Sequence, residues 1–213
     1  MAEGHGSRHN WVMHWVLVDG LRMPRRIGGH PALDFCNTWA GWDEPPNPRR
    51  EWLRSYDHLA VWAWHAGLIE EGDAARLRRS GARSPDAAAA QLRTARRLRT
   101  LLHSAVVDPA DGRALGGVTG FVRRAGEHVR IRPGTPPRWE IPPATGLELP
   151  IHAVVWAAGD LLTSDSIATV KACPGDDCGW LFLDPRGRRR WCSMSSCGNR
   201  AKVRAHAQRQ RRA

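Results

Sequence analysis

The chain has 213 residues, 42% of them hydrophobic and 25% charged, with a formal net charge of +11. That apolar content is enough for one medium domain plus a small module, and it excludes a disordered or collagen-like chain. No apolar run approaches the roughly 20 residues that span a bilayer and no secretory signal is visible, so no membrane partner and a cytoplasmic location are expected.

Residues 1–10, rich in Gly, His and Ser, read as a disordered tail. Residues 12–18 and 22–27 predict two strands joined by a tight turn at Asp19-Gly20. After Gly28-Gly29-His30, Pro31 suits the first turn of a helix running to about Trp39, with Ala32, Phe35, Cys36 and Trp39 on one apolar stripe. The composition of 43–48 predicts a loop. Ser55 is placed to cap a helix over 56–65 that Gly67 stops, and a further helix is expected over 71–79. Ser84-Pro85-Asp86 opens the longest predicted helix, 86–107, whose core stripe is Ala88, Leu92, Ala95, Leu98, Leu102 and Ala105. Arg93, Arg96, Arg97 and Arg99 fall mostly off that stripe and are expected to form a solvated face.

The Gly- and Pro-rich stretch 111–148 predicts only a small hairpin around Pro133-Gly134, and 149–162 reads as a buried helix. Residues 11–165 therefore read as one domain of the α+β class, predominantly helical with small β-hairpins. A short link joins it to a C-terminal module over 166–213.

Cys173, Cys178, Cys192 and Cys197 are spaced C-x4-C-x13-C-x4-C. Two evenly spaced thiolate pairs separated by a short loop are how a small segment wraps one tetrahedral Zn²⁺. The predicted module is treble-clef-like: a hairpin of Trp180-Leu181-Phe182-Leu183 and Arg189-Arg190-Trp191 around the turn Asp184-Pro185-Arg186-Gly187, then a helix from about Cys197 to His206. Four cysteines close the coordination sphere and leave no position for a reactive water, so the zinc is expected to be structural. A segment this small and this poor in aliphatics takes its folding free energy largely from the metal. The fifth cysteine, Cys36, lies among apolar residues and reads as a small buried hydrophobe.

Charge is concentrated in the same region. Residues 171–213 hold 11 Lys/Arg against 3 Asp/Glu, which is +8 of the chain's +11. Such asymmetry is the footprint of a polyanion-binding surface.

Trp191-Cys192 through Cys197-Gly198-Asn199-Arg200-Ala201-Lys202 resembles the CGNR zinc-finger family, whose name repeats four consecutive residues of this chain. Cys173-Pro174 and Cys178-Gly179-Trp180-Leu181-Phe182-Leu183-Asp184 fit the same family. Gly28-Gly29-His30, Ala32-Leu33-Asp34-Phe35 and Asn37-Thr38 resemble the start of the N-terminal ABATE domain that such proteins share. The resemblance implies a bacterial stress-related transcription regulator. The loop after Asp184 is shorter than the family's usual Ser-Arg-Asn-containing turn, so contacts of that turn do not carry over.

DNA is the expected partner. The start of the last helix would enter the major groove with Asn199 and Arg200 near base edges, Lys202 and Arg204 beside them, and Arg186, Arg188, Arg189 and Arg190 on phosphates. Asn199 has a rival role in ordering the zinc loop. Dimerisation would add specificity through paired half-sites. Two alternatives remain open at the level of sequence. One is a protein- or RNA-binding knuckle. The other is a small-molecule sensor or enzyme centred on the N-terminal domain, with His30, Asp34 and Asn37 lining a pocket, although these three residue types also cap and bond local backbone. No nucleophile–base pair, Gly-rich phosphate loop or paired carboxylate is apparent, and a non-enzymatic role is expected.

Overall fold

The structure, a computed structural model, describes residues 15–211 apart from Asp43 and Pro46. The tail read at 1–10 and the first part of the predicted strand 12–18 lie outside these residues, as do two positions of the predicted loop 43–48. β1 (Trp15–Val18) and β2 (Leu21–Pro24) form an antiparallel hairpin with Val18 opposite Leu21. Its turn residues Asp19 and Gly20 both have positive φ, 46° and 75°, the backbone twist that matches paired strands.

Six helices follow: α1 (Pro31–Cys36), α2 (Tyr56–His65), α3 (Glu71–Arg83), α4 (Pro85–Val107), α5 (Gly112–Gly126) and α6 (Leu149–Leu162). The boundaries follow local chemistry. The Ser55 hydroxyl accepts from the His58 N–H at the start of α2, and Pro85 occupies the first turn of α4. α1 ends at Cys36, short of the expected Trp39. There the chain tightens through Thr38 N–H to Phe35 C=O and Trp39 N–H to Cys36 C=O, and Trp39 then pairs with Glu51.

α1, α2, α4 and α6 share one core. Leu33, Phe35, Leu59, Trp62, Leu98, Leu102, Val154 and Leu161 are each at most 1% exposed, and the Phe35 and Trp62 rings meet at 5.0 Å.

Further expectations are overturned here. α5 lies where only loop and hairpin were expected. Its five glycines lower intrinsic helix propensity, but Ala114, Val118, Phe121 and Ala125 are buried at helical spacing. The Asp111 carboxylate caps it by accepting from Arg113 and Ala114 N–H, both at 3.0 Å. Gly117 belongs there because a Cβ would stand 2.9 Å from the Leu101 methyls, so the glycine lets α5 lie close on α4.

The second correction concerns Arg99, which is not solvated but 4% exposed. It forms a bidentate pair with Glu51 at 2.7 and 2.6 Å and also donates to Thr38 Oγ1 at 2.9 Å. The carboxylate neutralises the buried guanidinium and both terminal nitrogens are matched, while Nε has no hydrogen-bond partner.

A short hairpin, β3 (Arg130–Arg132) and β4 (Arg138–Glu140), precedes α6. Beyond α6 the module contains β5 (Val170–Ala172), β6 (Leu181–Leu183) and α7 (Asn199–Gln210). β6 is the predicted strand, but its partner is β5, not Arg189–Trp191. The reason is Asp184, whose carboxylate accepts from the N–H groups of Arg188 (2.9 Å) and Arg189 (3.1 Å) and so withdraws them from any ladder.

Candidate metal centre and basic surface

β6 is held along both edges. On one side it pairs with β5. On the other, Leu183 N–H donates to the Gly28 carbonyl at 2.8 Å, and the side-chain amide of Asn37 takes both polar groups of Leu181: Oδ1 accepts its N–H at 2.7 Å and Nδ2 donates to its carbonyl at 2.9 Å. Asn37 thereby acts as a strand neighbour supplied by a side chain. Trp180 Nε1 donates to the Trp39 carbonyl at 2.9 Å, Gly41 N–H donates to the Cys178 carbonyl at 2.8 Å, and Arg50 pairs with Asp177. Trp42 stacks on His103 of α4 at 3.7 Å and abuts Gly179. The Arg99–Glu51 pair and its bond to Thr38 brace this platform from below. The zinc module is thus docked on the N-terminal domain.

The docked segment carries the cysteines. Cys173 follows β5, and its N–H donates to the Trp180 carbonyl at 2.8 Å; Cys178 closes a turn onto Gly175 at 3.0 Å. Cys197 lies in a wide π-type turn, Met194–Gly198, that begins two residues after Cys192. All four thiols are buried, and their Sγ atoms lie within 4.8 Å of one another. Cys192 Sγ is 3.6 Å from Cys178 Sγ and 3.5 Å from Cys197 Sγ. Zn–S bonds of about 2.3 Å at tetrahedral corners require edges of about 3.8 Å, whereas a disulfide needs sulfurs about 2.05 Å apart.

The thiol chemistry agrees. Hydrogen bonds from Cys178 and Cys192 bring Cys173 down to about 7, while the same crowding drives Cys178 and Cys192 upward. Four such sulfurs ionise together only around a cation. All-thiolate, tetrahedral and closed, the donor set fits one structural zinc ion. Burial pushes the Cys36 thiol well up, leaving it an inert core residue.

The structure sorts the basic residues into two groups. Arg189 is turned inward: it donates to the carbonyls of Leu183, Ile27 and Cys192 at 3.2, 3.1 and 2.7 Å and lies over the Phe182 ring. Expected on phosphate, it instead staples the knuckle to the N-terminal domain. Arg200 donates from Nη2 to Cys197 Sγ at 3.0 Å. It therefore takes the zinc-loop role that the sequence offered to Asn199, while Asn199 is exposed at the start of α7. Arg204 is paired with Asp176. Arg186, Arg188, Arg190 and Lys202 are exposed, with Arg209 and Arg211 farther along. Arg188, Arg190 and Lys171 line a shallow depression of about 490 Å³.

His30, Asp34 and Asn37 stand close in sequence, but each serves the scaffold. His30 Nδ1 accepts the Ala32 N–H and caps α1 at 3.2 Å. Asp34 accepts the Gly28 N–H at 2.8 Å, and burial raises its carboxyl to about 6. Asn37 holds Leu181. None of the three lines the depression at Arg188 or the cleft beside the β3–β4 hairpin. A Cβ on Gly28 would stand 2.8 Å from Leu33 Cβ, so this glycine permits the close turn that presents its carbonyl to Leu183. Arg50, Trp42 and His103, which also join the two parts, gave no sequence signal beyond their side-chain types.

A helical domain carrying a docked four-cysteine module defines a zinc-finger protein with a larger N-terminal partner domain. The family model described as "CGNR zinc finger" matches residues 169–210. The ABATE model, described as "Putative stress-induced transcription regulator", matches residues 29–165, and the chain belongs to that family. No curated protein matches the chain. Among the described residues no helix is long and apolar enough to cross a membrane.

Proposed function

We propose that this protein is a zinc-dependent DNA-binding transcription regulator of the bacterial cytoplasm, in which the zinc module grips DNA and the N-terminal domain holds the module. The observation that carries this reading is α7, a helix of 12 residues with none buried, anchored at its base by the turn that holds Cys197. A helix without a burying face gains its order from its anchor and from a partner.

Lys202, Arg209 and Arg211 on α7 and Arg186, Arg188 and Arg190 on the knuckle are exposed. None of the six forms an ion pair among the described residues, so all are available to phosphates. Asn199, exposed at the start of the helix, is the side chain assigned to base edges. Arg200 and Arg204, engaged by Cys197 and Asp176, are assigned lesser shares. No catalytic role is assigned, because the four thiolates leave the metal no open position.

If about five phosphates are neutralised, the logarithm of affinity falls against the logarithm of salt with a slope near −4.5. Fluorescence anisotropy on duplex DNA measures it. Arg188→Ala and Lys202→Ala should each weaken binding and flatten the slope by about 1. A slope near zero sinks the reading.

A further inference from the structure

A cleft of about 360 Å³ lies between the β3–β4 hairpin, the α2–α3 turn and α6, with no residue of the zinc module in its lining. Its size is within the range of about 300–1,000 Å³ that holds small molecules. One wall presents Arg132 and Arg138, which stand directly opposite each other on β3 and β4. Like charges so placed destabilise a hairpin unless something lies between or above them. Among the described residues neither side chain forms a hydrogen bond or ion pair, whereas the neighbouring Arg130 is matched by Glu140 at 2.8 Å.

The opposite wall presents two carboxylates that are likewise unmatched. Glu70 makes no side-chain cap bond at the start of α3. Asp160, on the last turns of α6, is exposed and has no hydrogen-bond or ion-pair partner among the described residues. Asp73, which also lines the cleft, is already taken by Arg76 at 2.8 Å. Arg132, Arg138, Glu70 and Asp160 thus all line one cleft, and no ion pair joins any two of them.

Trp139 and Trp156 line the same cleft, edge to face at 5.6 Å. Trp139 is 57% exposed, which is costly for an indole with nothing to cover it. Trp156 is half-buried.

We propose that this cleft binds a small zwitterion with a planar apolar body, of the chemical class of a free aromatic amino acid. Its anionic group would lie on Arg132 and Arg138, its ammonium on Glu70 and Asp160, and its ring against the tryptophan pair. The site is separate from the nucleic-acid surface, so its test does not involve DNA.

Titration calorimetry of the zinc-loaded full chain uses L-tryptophan, L-phenylalanine and L-tyrosine as probes at about millimolar concentration. Tryptamine and indole-3-propionate, each lacking one charge, are the comparison compounds. At least one amino acid is expected to bind saturably, and the comparison compound lacking either charge is expected to bind about tenfold or more weakly. Arg138→Ala and Asp160→Ala, both at exposed positions, should each weaken binding by about tenfold with unchanged circular dichroism, and Arg123→Ala, outside the lining, should leave it unchanged. Absence of saturable heat with all three amino acids overturns the proposal. So does equal binding of tryptamine or indole-3-propionate, or binding that survives both charge substitutions.

Discussion

The N-terminal domain and the zinc module are ordered by different forces. In the domain a continuous, mainly helical core runs from Met23 to Leu161 and takes in Leu181 of β6, and the buried Arg99–Glu51 ion pair inside it is bidentate. In the module the separate buried cluster is Cys173, Cys178, Trp180, Phe182, Cys192 and Cys197, four of whose six members are cysteines. Two buried aromatic side chains contribute a few kcal/mol, whereas ordering each residue's backbone costs about 1–2 kcal/mol. The domain's fold is therefore intrinsic and the module's is conditional on metal. The sharpest way to break this comparison is to remove the zinc. Chelation, or Cys192→Ser, should abolish hydrogen-exchange protection across residues 173–198 while α2, α4 and α6 keep theirs. The free energy withdrawn is about 10–16 kcal/mol on the scale of zinc-finger peptides. Full protection of the metal-free module would show that its order comes from docking alone.

Docking is the second contribution, and Asn37 isolates it. Asn37→Ala leaves the Leu181 N–H and carbonyl without their partners while touching neither a cysteine nor the helical core. Orphaned buried groups cost about 1–3 kcal/mol each, so a loss of about 3 kcal/mol is expected in urea unfolding of the zinc-loaded protein. The accompanying sign is selective: exchange should rise at β6 and in the segment Trp39–Gly41, while the zinc content by atomic absorption stays at one ion per chain. Loss of the metal in this variant would mean that docking and coordination are one cooperative event, and the contrast between the two regions would shrink accordingly.

Much of this arrangement was legible in the residues, for identifiable reasons. α2 could be placed because the Ser55 cap coincides with apolar spacing, α4 because Pro85 and Asp86 open an apolar stripe, and α6 because 149–162 is mainly apolar; neither Ser84 nor Glu148 makes a side-chain cap bond. The zinc ligands could be placed because coordination chemistry acts through short spacings. α5 was hidden because glycines needed for close packing on α4 mimic loop composition. The roles of Arg99, Arg189 and Arg200 were hidden for another reason. A guanidinium bent back onto a carboxylate, a carbonyl or a thiolate has the same sequence as one extended into solvent, and only tertiary context separates them. Asn37 was singled out as a ligand-pocket residue, yet its partner lies 144 positions away, a distance across which no periodicity carries information.

The smallest expected effect lies at the seam between the regions. His103 projects from α4, stacks on Trp42 and is lowered to about 4, chiefly by burial, with a backbone hydrogen bond at Gly179 opposing the shift. A histidine held neutral in the folded state binds fewer protons there than when unfolded. Its contribution is therefore fully present above about 6.5 and is lost as pH falls from about 6.5 to about 4, by at most about 3 kcal/mol. Asp34 acts in the opposite sense. Its carboxyl, raised to about 6 by burial, takes up a proton more readily in the folded state and adds stability as pH falls from about 6 towards 3.8. The two groups partly offset each other, so the intact protein should show a shallower acid slope than His103 alone would give. His103→Phe keeps an aromatic ring on Trp42 but removes the titration. Urea midpoints measured beside the unaltered protein at several pH values between 7 and 4.5 should show the variant losing less stability on acidification. Parallel curves for the two proteins would show that the ring nitrogen titrates in the folded state as it does in the unfolded chain, and that the seam around Trp42 and Gly179 is open to water.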